Sequence, residues 1–196
     1  MSSEPVSPIE SDNNAYFLKC ERIGFRLWTP GDLPLALKLW GDPEVTKFID
    51  ARGQLGPAQV HERLFKEIAM QDVSGVQYWP IFRLDNDDFI GCCGLRPYGQ
   101  KDDVLELGAH LRVAYWTQGY GTEAARAVIR FAFERLRITA LFAGHNPKNL
   151  ASRHLVHKLG FRFTHDEYYA PTGLQHPSYL LTREQWLLKQ PSEKDT

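Results

Sequence analysis

The chain has 196 residues, 43% of them hydrophobic and 12% aromatic, which is enough for one substantial core and too little for two ordinary domains. A net charge of −1 gives no global attraction to nucleic acid or to an anionic membrane. No apolar run reaches the length of a transmembrane helix, and the opening residues lack the segments of a signal peptide, so a cytoplasmic protein without nucleic-acid or membrane partners is expected.

Residues 1–15 and 190–196 are polar and read as loose tails around a single domain over 16–189. Ile23, Phe25 and Leu27 alternate with Arg22, Gly24 and Arg26, the period of a half-buried strand. Asp32 is placed to cap a helix whose stripe is Leu33, Ala36, Leu37 and Trp40. Pro57 suits the first turn of a second helix carrying Val60, Leu64 and Ile68 at helical spacing. Val76–Leu84 and Phe89–Tyr98 form a hairpin across the polar turn Asp85–Asp88, with Pro80 marking an edge or a bulge.

A third strand, Val104–Val113, leads into an amphipathic helix from about Gly119 to Leu136, with Ala125, Val128, Ile129, Ala132 and Leu136 on one face. Leu141–His145 is a short strand and Asn149–Leu159 a short helix ended by Gly160. Phe161–Tyr169 is a strand, and His176–Thr182 closes the sheet. The middle of the chain is then β-β-β-α-β-α-β-β, a mixed α+β or α/β arrangement. Cys20, Cys92 and Cys93 read as small core residues; neither a disulfide framework nor a metal-binding spacing is present, and no metal is expected.

Two segments carry chemistry. From Glu106 a strand runs into the turn Trp116-Thr-Gln-Gly-Tyr-Gly, which opens a helix. Free N–H groups of Gly119, Tyr120, Gly121 and Thr122 at that helix start can seat a pyrophosphate; the alternative is an ordinary tight connection. Downstream, Asn149 and Ser152 are three residues apart and share a face that can meet a ligand, although each also has a structural reading as cap and first-turn residue.

Together with Arg22-Ile-Gly-Phe-Arg-Leu, Asp42-Pro-Glu-Val-Thr-Lys, Phe89-Ile-Gly-Cys-Cys-Gly-Leu-Arg and the Leu159-Gly-Phe pair, these segments resemble the GNAT N-acetyltransferases over nearly all of residues 20–185. The likeness is greatest to the subgroup that includes the Rim-type enzymes acting on ribosomal-protein N-termini. The resemblance implies the GNAT acyl-CoA N-acyltransferase fold, a mixed and mostly antiparallel central sheet flanked by helices. It also implies acetyl-CoA as cosubstrate and an amine acceptor, either a protein α-amine or a small-molecule primary amine. A homodimer is compatible with it.

By that resemblance Leu111, Arg112 and Val113 pair with pantetheine, Gln118 through Thr122 hold the pyrophosphate, and Asn149 bonds the pantetheine arm. The family's Gln/Arg-x-x-Gly-x-Gly/Ala signature has Trp116 at its first position here. An attacking amine must be neutral, so a base has to take its proton. Glu106, in Glu-Leu-Gly, matches the subgroup's Glu-Ile-Gly and is the expected base. His110 lies on the same strand face and is expected to assist or replace it, with a pKa near neutral. The tyrosine that many GNAT enzymes use as acid is replaced by Val156, which leaves Ser152 as the candidate donor to sulfur and a main-chain N–H near Leu111 as the oxyanion donor. Loss of the acid also admits a non-catalytic acyl-CoA sensor, and a longer acyl-CoA is a further alternative. Trp28, Trp40, Trp79, Tyr98, Tyr168 and Tyr169 are candidates for the wall of an acceptor pocket, with packing the reading for at least half of them.

Overall fold

The computed structural model describes residues 16–99 and 101–190. The tail expected at 1–15, and all but Gln190 of the tail expected at 190–196, lie outside the described residues. In chain order the elements are β1 (Leu18–Lys19), β2 (Ile23–Phe25), α1 (Leu33–Trp40), α2 (Pro43–Thr46), α3 (Pro57–Ser74), β3 (Tyr78–Arg83), β4 (Phe89–Tyr98) and β5 (Lys101–Leu111). They continue as α4 (Tyr120–Glu134), β6 (Ala140–Gly144), α5 (Leu150–Leu159), β7 (Arg162–Tyr169), β8 (Leu174–Thr182) and α6 (Arg183–Leu187). The eight strands form one sheet in the order β1-β2-β3-β4-β5-β6-β8-β7, antiparallel everywhere except between β5 and β6.

Alternation along the strands sends side chains to two cores. On one face Leu105 and Leu107 pack with Ala124, Ala125, Val128, Ile129 and Ala132 of α4. On the other, Tyr78, Phe82, Phe89 and Cys92 pack under Trp40 of α1 and Val60 and Leu64 of α3. Each large apolar side chain buried in this way contributes roughly 1.5–3 kcal/mol. α4 forms because small and apolar residues recur on its inner face while Glu123, Arg126, Arg130 and Glu134 take the outer one. α3 begins with Pro57, after Gly56 gives its N–H to the Gln59 side chain at 2.9 Å, and it ends at Gly75 in the left-handed conformation.

The structure departs from the sequence expectations in several places. Asp32 stands at the start of α1 but does not cap it; its carboxylate takes two bonds from Arg26, at 2.7 Å each, and others from Thr29. The buried stripe of α1 includes Leu39 instead of Leu37, because the helix rests on the sheet through Ala36, Leu39 and Trp40. Pro80 is not on an edge: β3 lies between β2 and β4, and the register shifts one residue later, between Ile81 and Phe82. The third strand begins earlier, at Lys101, and ends at Leu111; Arg112 still bonds Ile90 along the ladder, and Val113 then opens a short 3-10 turn. β8 does not close the sheet but inserts between β6 and β7. Its alternating Tyr179 and Leu181 can be buried, whereas β7 (Arg162-Phe-Thr-His-Asp-Glu-Tyr-Tyr) is exposed throughout and suits the edge.

Candidate active site

β5 and β6 are paired only from Val104↔Ala140 to Glu106↔Phe142. Beyond that point β6 stays with β8 and β5 stays with β4, so the parallel pair parts. Main-chain direction alternates along an antiparallel strand. The N–H of Arg112 bonds the carbonyl of Ile90 at 2.9 Å, so even-numbered residues of β5 turn to β4. Leu107, Ala109 and Leu111 therefore turn their main-chain groups toward the gap. One of these groups is already satisfied: Trp116 Nε1 donates to the Leu111 carbonyl at 2.8 Å. Arg112, besides its backbone bond, donates from Nη1 to the Phe89 carbonyl at 2.8 Å, and Val113 is outside the strand, so of Leu111, Arg112 and Val113 only Leu111 presents an edge to the gap.

α4 starts beside the gap. Gly119 precedes it with φ 85°, a conformation that favours glycine, and no side chain caps the helix. The N–H groups of Gly119, Tyr120, Gly121 and Thr122 have no protein acceptor among the described residues; Glu123 is the first to bond back, to Gly119. Gln118 turns its amide onto the Ala114 carbonyl at 2.6 Å. Arg22 braces the turn by donating to Glu123 at 2.7 Å and to the Gln118 carbonyl at 3.2 Å, with its guanidinium 4.3 Å from the Tyr120 ring. Gly121 lies between Leu111 and Leu155, and a Cβ there would stand 3.3 Å from the Leu111 side chain. α5 is thus brought next to the start of α4. Asn149 caps α5 by accepting from Ser152 N–H at 3.0 Å, which commits its oxygen and leaves its NH₂ available. Val156 is core, packed with Phe161 and Tyr179.

On the opposite face of β5 stand Glu106, Gly108 and His110. Gly108 has no Cβ because the Tyr78 ring lies flush against it; a methyl group there would overlap the ring. From that position Tyr78 donates its hydroxyl to Glu106 Oε1 at 3.0 Å. Burial raises the Glu106 carboxyl above its ordinary 4.5, while the Arg96 charge and the Tyr78 bond work against that rise. Arg96 sits 4.0 Å above the Tyr78 ring and pairs with Glu67, whose other oxygen accepts Tyr78 N–H at 2.9 Å. The result is a carboxylate at the fork that is shielded, hydrogen-bonded and more basic than a free one.

His110 does not fit the expectation of a near-neutral base. It is enclosed under Trp40, whose Nε1 donates to His110 Nδ1 at 3.3 Å, and burial holds its pKa well below 6.5. The Tyr78 ring, at 5.6 Å in edge contact, stands between it and Glu106 over Gly108. Among the pocket candidates, Trp28, Trp40 and Trp79 are core; Tyr98 stacks on Phe142 at 3.8 Å; Tyr168 and Tyr169 are exposed on β7. Tyr169 is near enough to the Glu106 charge to feel it, which brings β7 to the fork's rim.

Tyr78, Glu67 and Arg96 escaped sequence reasoning because they come from three separate elements. The one local signal was Gly108, two residues after Glu106, which marks a close approach by something flat. His145 is buried at the end of β6. Its Nδ1 meets the Asn146 carbonyl at 2.9 Å and its Nε2 has no partner among the described residues.

A mixed sheet whose parallel strands part over an uncapped helix start, with a basic carboxylate at the parting, is the framework of an acyltransferase. Residues 22–162 match the family described as the acetyltransferase (GNAT) domain, and the chain belongs to that family. An Aspergillus fumigatus enzyme named FsC-acetyl coenzyme A-N(2)-transacetylase is 31% identical, over 79% of this chain and 71% of that protein. The fold is shared with a GNAT acetyltransferase from Bacillus anthracis, at a TM-score of 0.74 and 20% identity over 85% of this chain and 98% of that one. It is shared as well with RimL, a ribosomal L7/L12 α-N-protein acetyltransferase solved with coenzyme A, at a TM-score of 0.71 and 13% identity over 85% and 97%. No cluster of three or more His, Cys, Asp or Glu among the described residues is placed to hold a metal ion, and no described helix is long and apolar enough to cross a membrane.

Proposed function

We propose that the protein transfers the acetyl group of acetyl-CoA to a primary amine by direct attack, with Glu106 as the general base. The observation that carries this is the Glu106 carboxylate at the point where β5 and β6 part, held by Tyr78 and made more basic by burial. Pyrophosphate rests on the N–H groups of Gly119 to Thr122, where the helix dipole favours anions. Pantetheine lies in the gap along Ala109 and Leu111, with the Asn149 NH₂ as a further donor. The thioester carbonyl takes a main-chain N–H from the same edge, which stabilises the developing oxyanion.

The amine then loses a proton to Glu106 as its lone pair attacks the carbonyl carbon, the C–S bond breaks, and the thiolate departs. With Val156 in the core, Ser152 on α5 serves the sulfur as donor. Acetyl rather than a longer acyl group is the cargo named for the A. fumigatus relative, whose acceptor nitrogen is designated N(2). A small-molecule amine acceptor is in keeping with that name, and a protein N-terminus, the acceptor named for RimL, is the rival within the same chemistry.

Glu106→Gln tests the base. Acetyl-CoA affinity by calorimetry should be retained, while acetyl transfer falls by about 10²- to 10⁴-fold. Wild-type acetyl-CoA binding with no transfer to any amine would favour the sensor instead.

A further inference from the structure

The side chains facing the fork on the α3 side include two arginines, and only one has a carboxylate. Glu67 takes Arg96, and Asp50 is held by Arg52 through bonds of 2.7 and 2.6 Å. Arg63, one helical turn before Glu67 on the face of α3 that meets the sheet, forms neither an ion pair nor a hydrogen bond with any described residue. Its Nε is buried without a partner, and its guanidinium rests 4.9 Å from the Trp40 ring. A buried N–H of a charged group without an acceptor is costly, and a ligand that supplies the acceptor removes that cost.

Arg63 and Glu106 are both within electrostatic reach of Tyr169 at the rim, so the two flank the same rim residue. Around it stand two cations, Arg63 and Arg96, and three carboxylates, Glu67, Glu106 and, within reach of Glu106, Glu167. The internal pair of Arg96 and Glu67 cancels and leaves the Arg63 charge opposite the negative charge of Glu106 and Glu167. A zwitterion sets an anion on the first and an ammonium on the second; an amine without an anion would leave Arg63 bare, and a dianion would overcharge a pocket that also contains these carboxylates.

Resting on the proposed acetyl transfer at Glu106, we infer that the acceptor is a small primary amine that carries its own carboxylate, an amino-acid-like zwitterion, with the carboxylate on Arg63 and the ammonium toward Glu106. Guanidinium is suited to this because its fork matches a carboxylate in two parallel bonds. A protein N-terminus lacks that carboxylate, so the pocket discriminates against it.

The test compares α-, β- and γ-amino acids with their methyl amides, by turnover with acetyl-CoA and by calorimetric binding to the CoA-loaded protein. For wild type, kcat/KM with at least one acid should exceed that of its amide about ten- to a hundredfold, even though the α-amides have the less basic amine. Arg63→Met should bring this ratio to about one, and Arg63→Lys should restore part of it. Acetyl-CoA binding by each variant reports that it folds, and the wild-type ratio decides the matter if a variant does not. Equal use of acids and amides by wild type overturns the inference while amine acetylation stands. Acids that bind through Arg63 without being acetylated keep Arg63 as the carboxylate site but sink the proposed reaction, and the acceptor role with it. Neither binding nor turnover of any compound overturns both.

Discussion

The two faces of β5 are built from different materials. Toward α4 the site is main chain: free N–H groups at the helix start, an unpaired strand edge, and glycines at 119 and 121 that keep side chains out of the way. Toward α3 it is side chain: Glu106, Tyr78, Arg96 and Glu67 converge from β5, β3, β4 and α3. A backbone-made seat binds whatever presents a phosphate and a string of amides, and it changes little when side chains change. A seat made of side chains is tuned by each of them. The first face therefore suits a cosubstrate common to a family, and the second suits an acceptor particular to one member.

The most severe way to break the first face is to put a charge into it. Gly121→Glu adds a Cβ 3.3 Å from the Leu111 side chain and an anion where the helix start favours the anion of a ligand. Acetyl-CoA binding, followed by calorimetry, should fall below detection while the protein remains folded by circular dichroism. Retained affinity would mean that the pyrophosphate sits elsewhere.

That contrast also explains what could be read from the sequence. The backbone face announces itself locally: Gly119 and Gly121 are separated by one residue in the chain, and Asn149, Ser152 and Gly160 mark a short helix whose ends the structure places within a residue of expectation. The order of helices and strands through the middle followed from the 3.6- and 2-residue periods. The insertion of β8 between β6 and β7 did not, because strand order is decided by which of two neighbouring strands can afford burial on both faces, a comparison no single segment contains. On the side-chain face, Glu106 was visible only through a family pattern, and Tyr78 lay 28 residues before it. His110 misled for a physical reason. Strand parity placed it correctly beside Glu106, but parity says nothing about what covers it, and Trp40 does.

A milder change sharpens the side-chain face. Tyr78→Phe keeps the ring over Gly108 and under Arg96 and removes only the donor to Glu106. That bond favours the ionised carboxylate, so its loss raises the Glu106 pKa further. A base works only when ionised, so the acidic limb of kcat/KM should move to higher pH. Activity should drop several-fold at the acid end and change little on the alkaline plateau. A uniform loss at all pH values would assign Tyr78 to acceptor positioning instead.

The smallest effect on catalysis is expected at His110, and its signature is in stability. Because the buried imidazole has a pKa well below 6.5 in the folded state, the unfolded chain binds the proton first as pH falls. Stability therefore rises with pH through the window between the depressed folded value and 6.5, and it declines on acidification below 6.5. His110→Asn keeps an acceptor for Trp40 Nε1 and cannot titrate. Urea denaturation of this variant should show a loss of about 1 kcal/mol at neutral pH and a shallower decline toward acid. His145 and His176, both also depressed by burial, keep some of that decline in place. The acidic limb of the rate profile should stay where it is in wild type. If the limb moved with His110→Asn and not with Tyr78→Phe, the proton from the amine would go to the imidazole, and the division of labour between Glu106 and its neighbours would have to be reversed.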